Sequence, residues 1–142
     1  FVTAGCRVVD IGSGAGFPGI PLAIVCPEAS FTLVESRRKK ANFLREASRQ
    51  LRLTNIEVAE SRVEDLEPAA AFDLAVSRAV GPIHDLLRLT VSLVRPGGAV
   101  IAMKGPKGRT EKVDVPGFAT KEQIEYTLPS AAQHLLVICR RL

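Results

Sequence analysis

The chain of 142 residues is 46% hydrophobic and 24% charged, a balance that fits one globular domain with a sizeable core and excludes disordered or fibrous classes. Its formal charge of +4 points to an anionic partner such as nucleic acid or phosphate, although so small an excess equally suits a plain solvated surface. No run approaches the roughly 18 to 20 apolar residues needed to cross a bilayer, nothing resembles a signal peptide, and Cys6, Cys26 and Cys139, widely spaced in apolar surroundings, read as reduced, buried and cytosolic.

The apolar run Arg7 to Ile11 predicts a buried strand, after which Pro18 and Pro21 open a helix through Val25, since proline is tolerated in a first turn. Phe31 to Glu35 predicts a second strand. Ser36 is placed to cap a long helix through about Leu53, with Phe43, Leu44, Ala47 and Leu51 on its apolar face and Arg38, Arg45, Arg49 and Arg52 as a basic stripe opposite. Further strands are expected at Ile56 to Ala59 and Phe72 to Ser77, a helix at Ile83 to Leu93, and a fifth strand at Gly98 to Lys104 after the turn "RPGG". Gln123 to Leu128 and His134 to Arg140, joined by "PSAAQ", read as a closing antiparallel hairpin. Alternating strands and helices predict an α/β fold, a mostly parallel doubly wound sheet with an antiparallel edge. In such sheets ligands sit beyond the carboxyl ends of the strands.

The first strand runs into "DIGSGAGFPGIP". Gly12, Gly14 and Gly16 give G-x-G-x-G, and Phe17 stands where the strict dinucleotide fingerprint has its third glycine; no G-K-[ST] follows to make a phosphate loop. The remaining pattern resembles the first motif of S-adenosylmethionine-dependent methyltransferases, against the plainer alternative of a tight turn. Glu35 ends the second strand, where a carboxylate can accept both ribose hydroxyls of a nucleoside cofactor. That placement suits a nicotinamide cofactor as well, and an acid there can also simply favour the following helix. Val63 and Glu64, in "SRVEDLE" after the third strand, can lie along an adenine ring, or form only a solvated turn.

"SRAVGP" at the end of the fourth strand lacks the Pro-Pro-aromatic pattern of exocyclic-amine methylation, and no cysteine stands ready for pyrimidine C5 attack. An acceptor with its own lone pair needs only positioning and no base, and guanine N7 is such an atom. Arg78 is the candidate to orient it. Lys104, Lys107 and Arg109, in "AMKGPKGR", read as phosphate contacts on a flexible loop, or as a solvated basic loop. His84 and His134 read as structural, and no residues cluster as a metal site.

These motifs together, "VVDIGSGAGFPGIPLAI", "RRKKANFLREASRQLRLTNIEV", "SRVEDL", "FDLAVSRAV", "AMKGPKG" and "HLLVICRR", resemble the family of ribosomal small-subunit RNA methyltransferases that modify guanine N7, historically the glucose-inhibited division protein B family. The resemblance implies a class I methyltransferase fold with a seven-stranded sheet, S-adenosylmethionine as donor and 16S ribosomal RNA, free or within the small subunit, as substrate. It also implies cofactor contacts at Gly12, Phe17, Val63, Glu64 and Arg78, with Glu35 as the acid of the second strand, in a cytoplasmic protein expected to be a monomer. Residues 1–142 then form one methyltransferase domain lacking the family's N-terminal helical segment. The competing readings are an NAD(P)-dependent oxidoreductase, on the glycine loop and Glu35, and a non-catalytic RNA-binding module, on the basic loop.

Overall fold

A computed structural model describes all residues except 68–70, 79–80 and 130–131, and only the backbone of residues 120 and 121. Seven strands form one sheet in the order β3-β2-β1-β4-β5-β7-β6. They are β1 (Arg7–Ile11), β2 (Ser30–Val34), β3 (Ile56–Ala59), β4 (Phe72–Arg78), β5 (Val94–Lys104), β6 (Phe118–Thr127) and β7 (Gln133–Arg141), with helices α1 (Gly19–Val25), α2 (Arg38–Gln50) and α3 (Ile83–Thr90). The first five strands pair in parallel, whereas β7 runs antiparallel to both β5 and β6. The expected mostly parallel sheet with an antiparallel edge is therefore present. Strand order reverses at β1, where β2 lies on one side and β4 on the other, and this is the geometry that opens a crevice for a ligand.

β1 has four consecutive buried residues because both faces of the sheet are covered there. One layer gathers Val8, Phe31, Leu33, Leu44, Leu74 and Val76 beneath α1 and α2. The other gathers Val9, Ile11, Ala75, Leu86, Leu87 and Val100 beneath α3. Adjacent residues of one strand enter opposite cores, as the pleat requires. Asn55 joins α1 to this frame: its amide donates to the carbonyls of Ala23, in the last turn of the helix where carbonyls lack intrahelical partners, and of Cys26 and Ala29, in the connection to β2, at 3.0 to 3.3 Å.

Several expected boundaries move. Ser36 is not the helix cap: α2 starts after Arg37, whose extended backbone leaves its carbonyl to take the Lys40 and Ala41 N–H groups. At the other end Arg52 adopts a φ of 56° and the Leu53 N–H returns to the Ser48 carbonyl, so the chain leaves the helix before Leu53. The buried face of α2 is Ala41, Leu44 and Ser48, while Phe43 and Leu51 are more than half exposed. Helical spacing alone left the direction of that face open by about a third of a turn. Three arginines of the stripe are ion-paired: Arg38 and Arg45 both reach Glu60 at 2.9 Å, tying α2 to the end of β3, and Arg49 reaches Glu46.

Helix α3 ends at Thr90, whose hydroxyl donates back to the Leu86 carbonyl, rather than at Leu93. β5 begins at Val94, ahead of the expected Gly98, because Val94 pairs with Phe72 across an irregularity that "RPGG" introduces. β6 begins at Phe118, ahead of the expected Gln123: its charged residues hide an edge strand that one-sided pairing nevertheless supports. Among the expected features, Ala79 of "SRAVGP" and Ser130 and Ala131 of "PSAAQ" lie outside the described residues. Cys6 and Cys139 are buried and Cys26 half-buried. No helix of the described residues is long and apolar enough to cross a membrane.

Candidate functional site

β1 ends by turning its backbone through three left-handed glycines, Gly12 at φ 67°, Gly14 at 56° and Gly16 at 93°, a path that side chains with a Cβ resist. The turn wraps a buried carboxylate. Asp10 is fully inaccessible, its Oδ2 accepts the Gly19 N–H at 2.9 Å, and Ser13 Oγ donates to the Asp10 carbonyl at 3.0 Å. Gly19 permits this contact, because a Cβ there would stand 2.6 Å from Asp10 Oδ2 and 2.3 Å from Leu33 Cδ2. The loop is thus fastened from beneath, from the end of β1 to the start of α1.

Glu35, directly after β2, fastens the same loop from the side. Its Oε2 accepts the Gly14 N–H at 3.1 Å and its Oε1 accepts the Arg37 N–H at 2.9 Å. A carboxylate has about four acceptor sites, so each oxygen keeps capacity beyond these two backbone bonds. Glu35 also lines a cavity of about 360 Å³ with Ile11, Gly12, Ser61, Val63 and Glu64. Val63–Asp65 form a short 3-10 turn after β3. The structure therefore brings four expected cofactor residues, Gly12, Glu35, Val63 and Glu64, around one opening beyond the carboxyl ends of β1, β2 and β3.

Phe17 and Arg78 form a second group. Phe17 is half exposed, and the Arg78 guanidinium stacks over its ring at 5.4 Å from the centroid. Gly16 holds the intervening backbone close to α1 and α2, with room for no Cβ: one would meet Ile20 Cδ1 at 2.5 Å. Neither Gly14, Gly16, Phe17 nor Arg78 lines the 360 Å³ cavity. They stand at the β1–β4 side of the switch point, where the glycine loop and the end of β4 meet.

The basic loop after β5 differs from the expected flexible segment. Residues Pro106–Thr110 form a 3-10 turn. Lys104, read as a phosphate contact, is turned inward instead, with its ammonium on the Gly81 carbonyl and 3.1 Å from Glu111 Oε1. Arg109 pairs with Glu125 at 2.7 Å, and Lys107 is exposed. Of the histidines, His84 pairs with Asp85 and His134 stacks on Tyr126, both away from the glycine loop. Among the described residues no group of His, Cys, Asp and Glu could hold a metal.

Asp10, Gly19 and Ser61 stand inside the quoted motifs, yet the sequence alone assigns them no role. Two buried side-chain atoms among the described residues lack a partner, Asp10 Oδ1 and Ser61 Oγ. An unpaired buried polar atom is costly, and both belong to this region: Ser61 lines the cavity, and Asp10 lies under the glycine loop. A polar ligand that meets the Ser61 hydroxyl fits the arrangement. Burial pushes the Asp10 carboxyl up to about 6, opposed by the Gly19 N–H, by Ser13 and by the Arg78 guanidinium.

The folded-state pKa of Asp10 lies above the unfolded value, so the folded protein holds the proton more tightly. Its contribution to stability is fully present below the unfolded pKa and is lost as pH rises through about 6. The loss by pH 7 is on the order of 3 kcal/mol. Urea midpoints measured from pH 4 to 7 are expected to show this decline in the wild type and a flatter profile in Asp10→Asn. Parallel profiles would remove Asp10 as the cause.

Comparisons with known proteins meet this geometry. The family model described as rRNA small subunit methyltransferase G (GidB) matches residues 1–137. A ribosomal RNA small subunit methyltransferase G from Stenotrophomonas maltophilia is 44% identical over 141 residues, which cover 97% of this chain and 66% of that protein. The chain thus spans just under two thirds of that relative's length. Among solved structures, a predicted O-methyltransferase from Agrobacterium tumefaciens superposes with a TM-score of 0.80 at 24% identity, covering 96% of this chain and 74% of the other. M. jannaschii TYW2 in complex with AdoMet does so with a TM-score of 0.76 at 19% identity, covering 100% and 72%. At such identities the superpositions speak for the fold, that of class I methyltransferases. The match over nearly the whole sequence speaks for descent, and the chain belongs to the rRNA small subunit methyltransferase G family.

Proposed function

We propose that the protein transfers a methyl group from S-adenosylmethionine to N7 of a guanine in 16S ribosomal RNA. The observation that carries this reading is the convergence of Gly12, Glu35, Val63 and Glu64 on one nucleoside-sized cavity, next to a glycine loop and an exposed arginine at the end of β4. The bound donor supplies an electrophilic sulfonium methyl. The remaining acceptor capacity of Glu35 suits a ribose diol, and the Ser61 hydroxyl with the backbone of Val63 and Glu64 suits the adenine. The glycine turn lets backbone amides approach the methionine end without interference from side chains.

Arg78, stacked on Phe17, orients the acceptor base in this reading. Guanine N7 carries a lone pair and no proton, so the transfer needs in-line alignment and exclusion of water rather than a general base. Lys107 is the exposed cation of the post-β5 turn best placed for an RNA phosphate, with Arg109 beside it on Glu125. The cytoplasm, a monomeric state and a single methyltransferase domain over residues 1–142 belong to the same proposal.

Incubation with methyl-labelled donor and unmethylated 16S RNA or 30S particles, followed by mapping of the label, tests it. Label at a guanine N7 is the expected result, and label on another atom would overturn the acceptor assignment. Melting-temperature shifts separate the alternatives: S-adenosylhomocysteine is expected to stabilise the protein and NAD to leave it unchanged. A stabilising effect of NAD alone would favour the oxidoreductase.

A further inference from the structure

β4 and β5 leave the sheet side by side, and the segments that follow them are tied together by a partly buried ion pair. Lys104 closes β5 with its side chain only 10% exposed. Its ammonium donates to the Gly81 carbonyl, in the turn after β4, and to Glu111 Oε1, just past the 3-10 turn. The other carboxylate oxygen of Glu111 accepts the Ile83 N–H at 2.6 Å. That N–H opens α3, whose cap residue Pro82 offers no side-chain acceptor. Gly108 closes the arrangement from above, since a Cβ there would stand 2.7 Å from Lys104 Cβ and 3.0 Å from Cγ. The 3-10 turn therefore lies directly on the stem of the lysine.

Holding two turns together does not by itself call for charge, because an apolar contact avoids the cost of desolvating an ion pair. A charge-assisted pair adds direction: it aims a specific carbonyl and a specific N–H. Here both targets, Gly81 and Ile83, follow Arg78 closely in the sequence. We propose that Lys104 and Glu111 are positioning residues for methyl transfer, fixing Gly81 and the start of α3 beyond β4 so that Arg78 meets the acceptor base in a productive orientation. The inference rests on the methyl-transfer reading above. Neither residue lines the cavity formed by Gly12, Glu35, Val63 and Glu64, so their effect falls on the acceptor side and leaves donor binding intact.

The test uses the intact protein and the variants Lys104→Met, Lys104→Arg and Glu111→Gln, with calorimetric S-adenosylhomocysteine affinity and the single-turnover rate of transfer to 30S particles or 16S RNA. Lys104→Met is expected to slow transfer about ten- to a hundredfold, as a small misplacement of a reacting group does, while cofactor affinity stays within about threefold of the wild type. Glu111→Gln, which preserves shape and one acceptor, is expected to slow transfer about three- to tenfold, and Lys104→Arg to recover most of the rate. Glu111→Gln decides the question if Lys104→Met does not fold. Wild-type rates in folded variants overturn the proposal. So does a parallel loss of rate and cofactor affinity, which would make the pair merely structural. A wild-type protein that binds S-adenosylhomocysteine but transfers no label refutes the methyl-transfer reading itself, and the positioning role with it.

Discussion

Glu35→Gln is expected to weaken S-adenosylhomocysteine binding about ten- to a hundredfold, the range set by losing one or two charge-assisted hydrogen bonds. The carboxylate takes the Gly14 and Arg37 N–H groups on separate oxygens. An amide in its place must turn its NH2 toward one of those two donors, so the substitution both removes a ligand acceptor and sets donor against donor. The damage then extends to the glycine loop, and Glu35→Asp is expected to recover little, because its shorter side chain cannot span both amides. Titration calorimetry on the two variants measures this. An affinity for S-adenosylhomocysteine within about threefold of the wild type in Glu35→Gln, where a charge-assisted bond predicts more, would remove Glu35 from the donor site.

The second large effect is expected at Arg78. Its guanidinium is exposed, contacts the Phe17 ring, and acts electrostatically on the buried Asp10. Truncation to alanine is expected to lower kcat/KM for RNA methylation about ten- to a hundredfold, as loss of an orienting contact does, with little change in melting temperature because an exposed cation–π contact contributes at most about 1 kcal/mol. A lysine in its place keeps the charge but not the planar face, so Arg78→Lys is expected to resemble the alanine variant in rate. Unchanged methylation of RNA by Arg78→Ala would exclude the orienting role.

Loop and acid were legible because their chemistry is local. A strand that ends in G-x-G-x-G must turn through left-handed backbone, and the interval to Glu35 brings the next parallel strand alongside; the register Ile11 to Val34 realises that interval. The edge hairpin was legible from two β-rich runs and a short connection. The inward turn of Lys104 was not legible, for a physical reason. In the sequence it is one of three cations among glycines and a proline, and nothing local distinguishes a solvated ammonium from one turned inward. Of its partners, Gly81 becomes a neighbour only when β4 and β5 pair, and Glu111 only when the 3-10 turn between it and Lys104 folds.

What the amino-acid sequence determined by itself, then, was the order of strands and helices, the left-handed turn at Gly12, Gly14 and Gly16, and, through the resemblance of its motifs, the family. The first two depend on steric or periodic constraints among residues close along the chain. Tertiary structure alone decided which face of α2 is buried, that Asp10 loses its water and has its carboxyl pushed upward, that Ser61 is left with an unpaired hydroxyl beside the cavity, and that Lys104 serves the turn after β4. Those outcomes depend on desolvation and on contacts between residues far apart in the chain, and both arise only when the sheet closes around its switch point.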